Sequence, residues 1–255
     1  MRFLFSRRWI LFAIAVALMA YGAVKLGEWQ FHRLDERETR NAIVTKNLDE
    51  KPVPVASVMA PGRPLSEADQ WEHVTASGRY VDDETIVVRY QTRDGASGVD
   101  VVTPLLTDSG TAVLVNRGWE ETGNTGTTRP DVPPAPDGEV TVVGWARADA
   151  EGDATAVADR STRAISSEAI GPTLPFPVYG GFVEVESQTP PPAHPLVPTE
   201  RPDLSNGPHF FYGLQWWFFG ALAIFGFFYL AWDERRKARR AGEPSTAEKP
   251  APVKS

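Results

Sequence analysis

Asn206-Gly-Pro-His209-Phe-Phe-Tyr212-Gly-Leu-Gln215-Trp216-Trp217 opens a run that meets no charged residue until Asp233. The uncharged stretch from Phe210 to Trp232 spans 23 residues. At ~1.5 Å per residue a helix of that length reaches about 34 Å, enough for a bilayer core of about 30 Å. The reading is a transmembrane helix over 209–232. Pro208 suits the first helical position, where its missing N–H costs nothing, so His209 falls in the first turn, at the boundary of lipid and water.

Outward from this helix, Asp233-Glu-Arg-Arg-Lys237 begins a basic tail over 233–255 that is low in complexity beyond Gly242 and expected to be disordered. On the other side, residues 189–208 form a proline-rich, extended strap. A second apolar segment lies near the start, where Trp9 to Val24 extends through a snorkelling Lys25 to Trp29 and gives a first span over 9–29 behind a short segment 1–8. Ala20-Tyr21-Gly22 offers a cleavable-signal alternative. The presence of a second span argues for retention. Ala13, Ala17 and Ala20 share a helix face that would admit a close neighbour, and Ala13 and Ala17 are expected to meet Gly213 or Gly220.

The charge is divided unevenly. Residues 27–208 hold 15 Lys and Arg against 29 Asp and Glu, whereas the remainder holds 11 against 4. Arg2, Arg7 and Arg8 precede the first span, and Arg235, Arg236, Lys237, Arg239 and Arg240 follow the second. By the positive-inside tendency both termini are cytoplasmic and the acidic middle is extracytoplasmic. That acidity disfavours nucleic acid as a partner. With no cysteine in the chain, the middle must fold on a buried core alone.

That middle begins with 30–70, a helical extension among alternating charges that is broken into an irregular linker by Pro52, Pro54, Pro61 and Pro64. From Trp71 the apolar period changes to two. Strands are expected at His73–Val81, Thr85–Tyr90, Val99–Leu106, Thr111–Arg117, Val140–Trp145 and Pro177–Val185, with a loop over Gly123–Gly138 and one short helix within Ser161–Ile170. The expected fold class is membrane-anchored mixed α and β: two transmembrane helices flank a mostly antiparallel β domain over 71–188. No phosphate loop, HExxH, GxSxG or zinc spacing occurs.

Three stretches together resemble the Surf1 (Shy1) family of cytochrome oxidase biogenesis proteins: Leu26-Gly-Glu-Trp29-Gln30-x-x-Arg33, Thr103-Pro-Leu105 through Asn116-Arg117-Gly118-Trp119, and Asn206-Gly-Pro-His209-x-x-Tyr212-x-x-Gln215-Trp216. Glu120 and Glu121 depart from the apolar residue and proline common after the second motif. The resemblance implies an assembly factor for an aa3-type haem–copper oxidase that receives haem a and presents it to subunit I, with haem a synthase as a further partner. It implies a chaperone, not an enzyme. It also maps the family's haem-binding histidine onto His209. Met1 to Ser6 leaves no room for a transit peptide, so a bacterial plasma membrane is expected.

The residues can be weighed beside that resemblance. A helix start favours a neutral imidazole at His209, the form that ligates iron. His209, Gly213, Trp216 and Gly220 share one face, on which the glycines leave space and an indole can lie against a flat ring. The structural alternative is that the glycines seat the first helix and His209 bonds a carbonyl. Tyr212 and Gln215 join the candidate set, since an intramembrane amide needs a partner. His32 is a candidate second ligand by position. Arg117 could hold a haem propionate; alternatively it ends a strand, with Gly118 in a positive-φ turn and Trp119 in the core. Trp29 and Gln30 could simply anchor the first helix. The rival function is a scaffold that holds oxidase subunits without binding cofactor.

Overall fold

The computed structural model describes residues 5–123 and 129–241, which form two compact units. One is helical and comprises the residues up to Thr39 and from Ser205 onward; the other, Arg40–Leu204, holds the sheet. Residues 124–128 of the expected loop and the tail beyond Ala241 lie outside the described residues.

The sheet unit contains β1 (Val53–Pro54), β2 (His73–Tyr80), β3 (Ile86–Arg93), β4 (Ala96–Thr107), β5 (Ala112–Glu121), β6 (Val140–Arg147), β7 (Ser161–Thr162) and β8 (Val178–Thr189). Their order is β1-β2-β6-β8-β5-β4-β3-β7, and β2 also pairs with the far end of β4. Five strands, β2, β6, β8, β5 and β4, thus close into a ring. The sheet is mixed, which corrects the mostly antiparallel expectation: β1–β2, β3–β7 and β5–β8 pair in parallel. Short turns dictate the antiparallel neighbours β3–β4 and β4–β5. The parallel β5–β8 pair joins strands separated by β6, β7 and a short helix at Ser167–Ile170, so no local turn announces it.

Closure explains why the central strands read as unbroken apolar runs. Val113 and Val115 of β5 point into the ring with Val74, Leu105, Val140, Val142 and Val183. Leu114 between them points outward, into a second cluster with Ile86, Val88, Val102, Ile165, Ile170 and Phe182. Alternation therefore survives, but both faces are buried.

The Asn116-Arg117-Gly118-Trp119 motif is a β-bulge. Val102 faces Asn116 and Val101 faces Gly118, leaving Arg117 as the extra residue. Gly118 sits at φ +131°, and a side chain there would strike Leu196 and the Val197 carbonyl. The strap lies against this point: Trp119 and Val197 exchange both backbone hydrogen bonds, at 2.8 and 2.9 Å. The buried Trp119 indole donates to the Gln91 carbonyl at 3.1 Å. Strand β5 therefore runs on past Arg117, four residues beyond its expected end.

Two acidic residues are drawn in beneath the strap. Arg147 pairs with Glu184 at 2.9 Å and Arg93 with Asp100 at 3.0 Å. Burial pushes both carboxyls above the usual range, and the partner arginines only partly offset it. The folded state thus holds these protons more tightly than the unfolded chain, so the stability that they contribute falls as pH rises through the raised values. Glu184→Gln should flatten this pH slope in thermal melts of the detergent-purified protein. Glu184→Ala, which strands the Arg147 guanidinium, should cost about 3 kcal/mol. An unchanged slope in Glu184→Gln would place the proton uptake elsewhere.

Candidate functional site

The helical unit is built from α1 (Arg7–Asp49), whose last turns belong to the sheet unit, and the C-terminal helix (His209–Ala241), called αC here. Both contain an apolar window long enough to cross a membrane. They pack antiparallel. At one end Phe227 meets Trp9 and Phe12, with ring centroids 5.8 and 5.5 Å apart. Further along, Gly220 faces Ala20 and Ala23, and Gly27 faces Trp217 and the Gly213 carbonyl. Gly213 receives the edge of Phe31, whose ring also lies 4.9 Å from that of Trp217. Side chains at Gly27 or Gly213 would collide, so the glycines here permit close approach of the two backbones.

This register corrects the expected one. Ala17 is exposed, and the small residues that meet Gly220 are Ala20 and Ala23, not Ala13 and Ala17. Bulky knobs decide it: Phe31 and Trp217 can be seated only opposite glycine. The expected haem-facing surface is likewise divided. Gly213 and Gly220 are buried in the seam, whereas Trp216 is half-buried and packs edge-on against Phe219 at 6.2 Å. Tyr212 and Gln215 are exposed.

Polar contacts succeed the apolar ones at the αC start. The Tyr212 N–H donates to the Pro208 carbonyl at 3.1 Å, which makes Pro208 the cap and His209 the first helical residue. His209 Nδ1 lies 2.8 Å from Gln30 Oε1. With the amide oxygen as its partner Nδ1 is the donor of this bond, which turns Nε2 away from Gln30. Gly207, at φ +64°, lies beside Nε2: a Cβ built there would be 3.6 Å from Nε2 and 3.7 Å from the Arg37 guanidinium. Arg37 also donates to the Ser205 carbonyl at 2.6 Å, and the Asn206 amide donates to Glu38 at 3.1 Å.

The structure thus brings the first and third motifs together through Gln30 and His209. Trp29 is exposed and carries Arg33 over its ring at 5.8 Å. His32 is exposed; two residues beyond Gln30, it lies roughly 200° round the helix from the residue that meets His209. The second motif belongs to the sheet unit. Its Arg117 is buried, donates to the Pro133 and Pro134 carbonyls at 3.1 and 2.9 Å, and lies over the Tyr80 ring. Burial lowers its pKa, with Tyr80 and Asp82 opposing the shift. Gly207, Arg37, Phe31 and Gly27 were missed as site-forming residues. Gly27 and Gly207 stand inside the quoted motifs, so the signal was present, but the packing partner that gives a glycine its meaning was not.

Paired terminal helices meeting at glycines, with a small closed β-barrel between them in the chain, define the class of protein. A match to the SURF1 family model covers residues 17–221. The chain belongs to the SURF1 family. It is similar to the uncharacterized SURF1-like proteins of Mycobacterium bovis and Mycobacterium tuberculosis, each 30% identical over 252 residues, which is 95% of this chain and 91% of theirs. A SURF1-like protein of Dictyostelium discoideum is 26% identical over 107 residues, 40% of this chain and 38% of its own.

The helix register has a direct check. With paired cysteines, Ala23→Cys with Gly220→Cys should crosslink efficiently under mild oxidation, and Ala13→Cys with Gly220→Cys should not. The reverse result would overturn the register.

Proposed function

We propose that the chain is a two-span bacterial plasma-membrane protein, with cytoplasmic termini and an extracytoplasmic barrel, that assists assembly of an aa3-type haem–copper oxidase. On this reading it receives haem a at His209, after haem a synthase, and hands it to subunit I. The observation that carries the reading is the His209–Gln30 hydrogen bond. It orients the imidazole through Nδ1 and leaves Nε2 as the nitrogen that would ligate iron, and family membership supplies the context. The residues present fit such a group in one respect: Gly207 places no side chain beside Nε2. Haem a, once delivered, supplies the oxidase with its redox centre. On this reading Gln30 would orient the ring and His209 would offer Nε2 to the iron. The neighbour that His209 meets is a side-chain amide, which can orient the ring.

Membrane insertion is supported by the exposure of the apolar windows. Only 17% of the α1 window and 6% of the αC window is buried within the protein, unlike the core helix of a soluble fold. A second reading has an observation of its own. Phe31 fills the space beside Gly213, so no slot for a flat ring remains at that glycine, as expected of a scaffold that holds oxidase subunits without cofactor.

Co-expression with haem a synthesis followed by a pyridine haemochrome assay separates the two. His209→Ala should abolish haem a, His209→Met should leave a weakened and spectrally shifted complex, and His32→Ala should bind normally. Equal haem a in wild type and His209→Ala would favour the scaffold. Loss in His32→Ala alone would move the ligand to α1.

For orientation, single cysteines at Ser97 and Ser245 can be probed in whole cells with a membrane-impermeant maleimide. Ser97→Cys should react and Ser245→Cys should be protected. The opposite pattern would invert the topology.

A further inference from the structure

At the end of the helix pair remote from His209, a cleft of about 440 Å³ opens between α1 and αC. That volume is within the range of small-ligand sites. Its floor is apolar: Trp9, Phe12 and Leu230 line it, with Trp9 and Phe12 packed on Phe227. Its rim carries four charges, Arg8, Asp233, Glu234 and Lys237. Lys237 and Asp233 neutralise each other at 2.8 Å. Arg8 and Glu234 have no ion-pair partner among the described residues, and both are exposed at the rim. One guanidinium and one carboxylate, neither in a direct ion pair among the described residues, therefore flank an aromatic floor, with Lys237 within electrostatic reach of Glu234.

We infer that this cleft binds a phospholipid whose headgroup pairs a phosphate with a primary ammonium, the phosphoethanolamine type. Arg8 receives the phosphate, the Glu234 carboxylate accepts hydrogen bonds from the ammonium, and the upper acyl chain lies on Trp9, Phe12 and Leu230. The charge balance of the rim selects this class. An acidic headgroup would satisfy Arg8 but offer no cation to the Glu234 carboxylate. A choline headgroup would satisfy Arg8 but has no N–H to offer Glu234. The inference rests on the proposal that both helices cross the membrane, and it is independent of haem binding.

The test uses the full chain purified in mild detergent and titrated with palmitoyl-oleoyl phosphatidylethanolamine, phosphatidylcholine or phosphatidylglycerol. Lipid retention is read by native mass spectrometry. Wild type should retain phosphatidylethanolamine about tenfold over either other lipid, and Arg8→Gln or Glu234→Gln should each remove that preference, as for loss of one charge-assisted hydrogen bond. Equal retention of the three lipids, preference for phosphatidylglycerol, or variants that keep the wild-type preference would each overturn the assignment. Alkaline extraction of the source membranes runs in parallel. Protein that resists extraction but shows no selectivity refutes the lipid site alone, whereas protein released by alkali refutes the membrane reading and the lipid site with it.

Discussion

The parallel pairing of β5 with β8 is the contact on which the sheet unit depends. Without it β4–β5 would be one open edge and β6–β8 another, each presenting unpaired N–H and C=O groups. With it, and with β2 bridging to β4, the ring closes and five strands lose their free edges. Closure brings the period-two alternation of β5 to bear on two cores at once, Val113 and Val115 inward and Leu114 outward. The last turns of α1 add a third, small cluster, in which Val44 packs with Trp71 and Trp145.

The bulge at Arg117 then couples the barrel to the strap. One extra residue turns the Arg117 guanidinium toward the Pro133 and Pro134 carbonyls and leaves Gly118 as a gap into which Leu196 and Val197 settle. Arg93 reinforces the same seating, since it donates to the Pro198 carbonyl at 2.7 Å while pairing with Asp100. An Asn-Arg-Gly-Trp sequence thus has a structural account: Asn116 accepts from the Gly118 N–H at 3.2 Å, Gly118 takes the positive φ, and Trp119 anchors in the core. Arg117 gives two of its five N–H donors to these carbonyls, so its place in the fold is accounted for without a propionate.

The parts legible in the sequence were those set by neighbours along the chain. The uncharged length after Pro208 announced αC, and period-two runs announced β2 to β6 and β8. Gly110, at φ +78°, makes the turn between the two strands expected at Val99–Leu106 and Thr111–Arg117. What escaped depends on partners far away in sequence. Nothing in Val178–Thr189 states that it lies parallel to Ala112–Glu121. Small residues on α1 permitted several registers, and the choice among them came from where Phe31 and Trp217 could be seated. His209 could be singled out as a candidate, but its hydrogen-bond partner could not: a side-chain amide one helix away replaced the expected backbone carbonyl.

Two glycines near the start of αC now have separate physical roles. Gly213 is consumed by packing, for Phe31 occupies the space that its missing side chain leaves, and αC can approach α1 only because of it. Gly207 precedes the helix, takes a left-handed conformation, and leaves space beside the Nε2 of His209 without a seam residue filling it. The imidazole consequently stands at the end of the helical seam and not within it, with Nδ1 held by Gln30 and Nε2 turned toward Gly207. A ligand that needed the seam itself would have to part the helices and lose the contacts of Phe31 with Gly213 and Trp217. A ligand approaching Nε2 past Gly207 would disturb none of them. The proposed carrier role would place that same demand on the fold: a group must come and go without remaking the packing that holds the helices together.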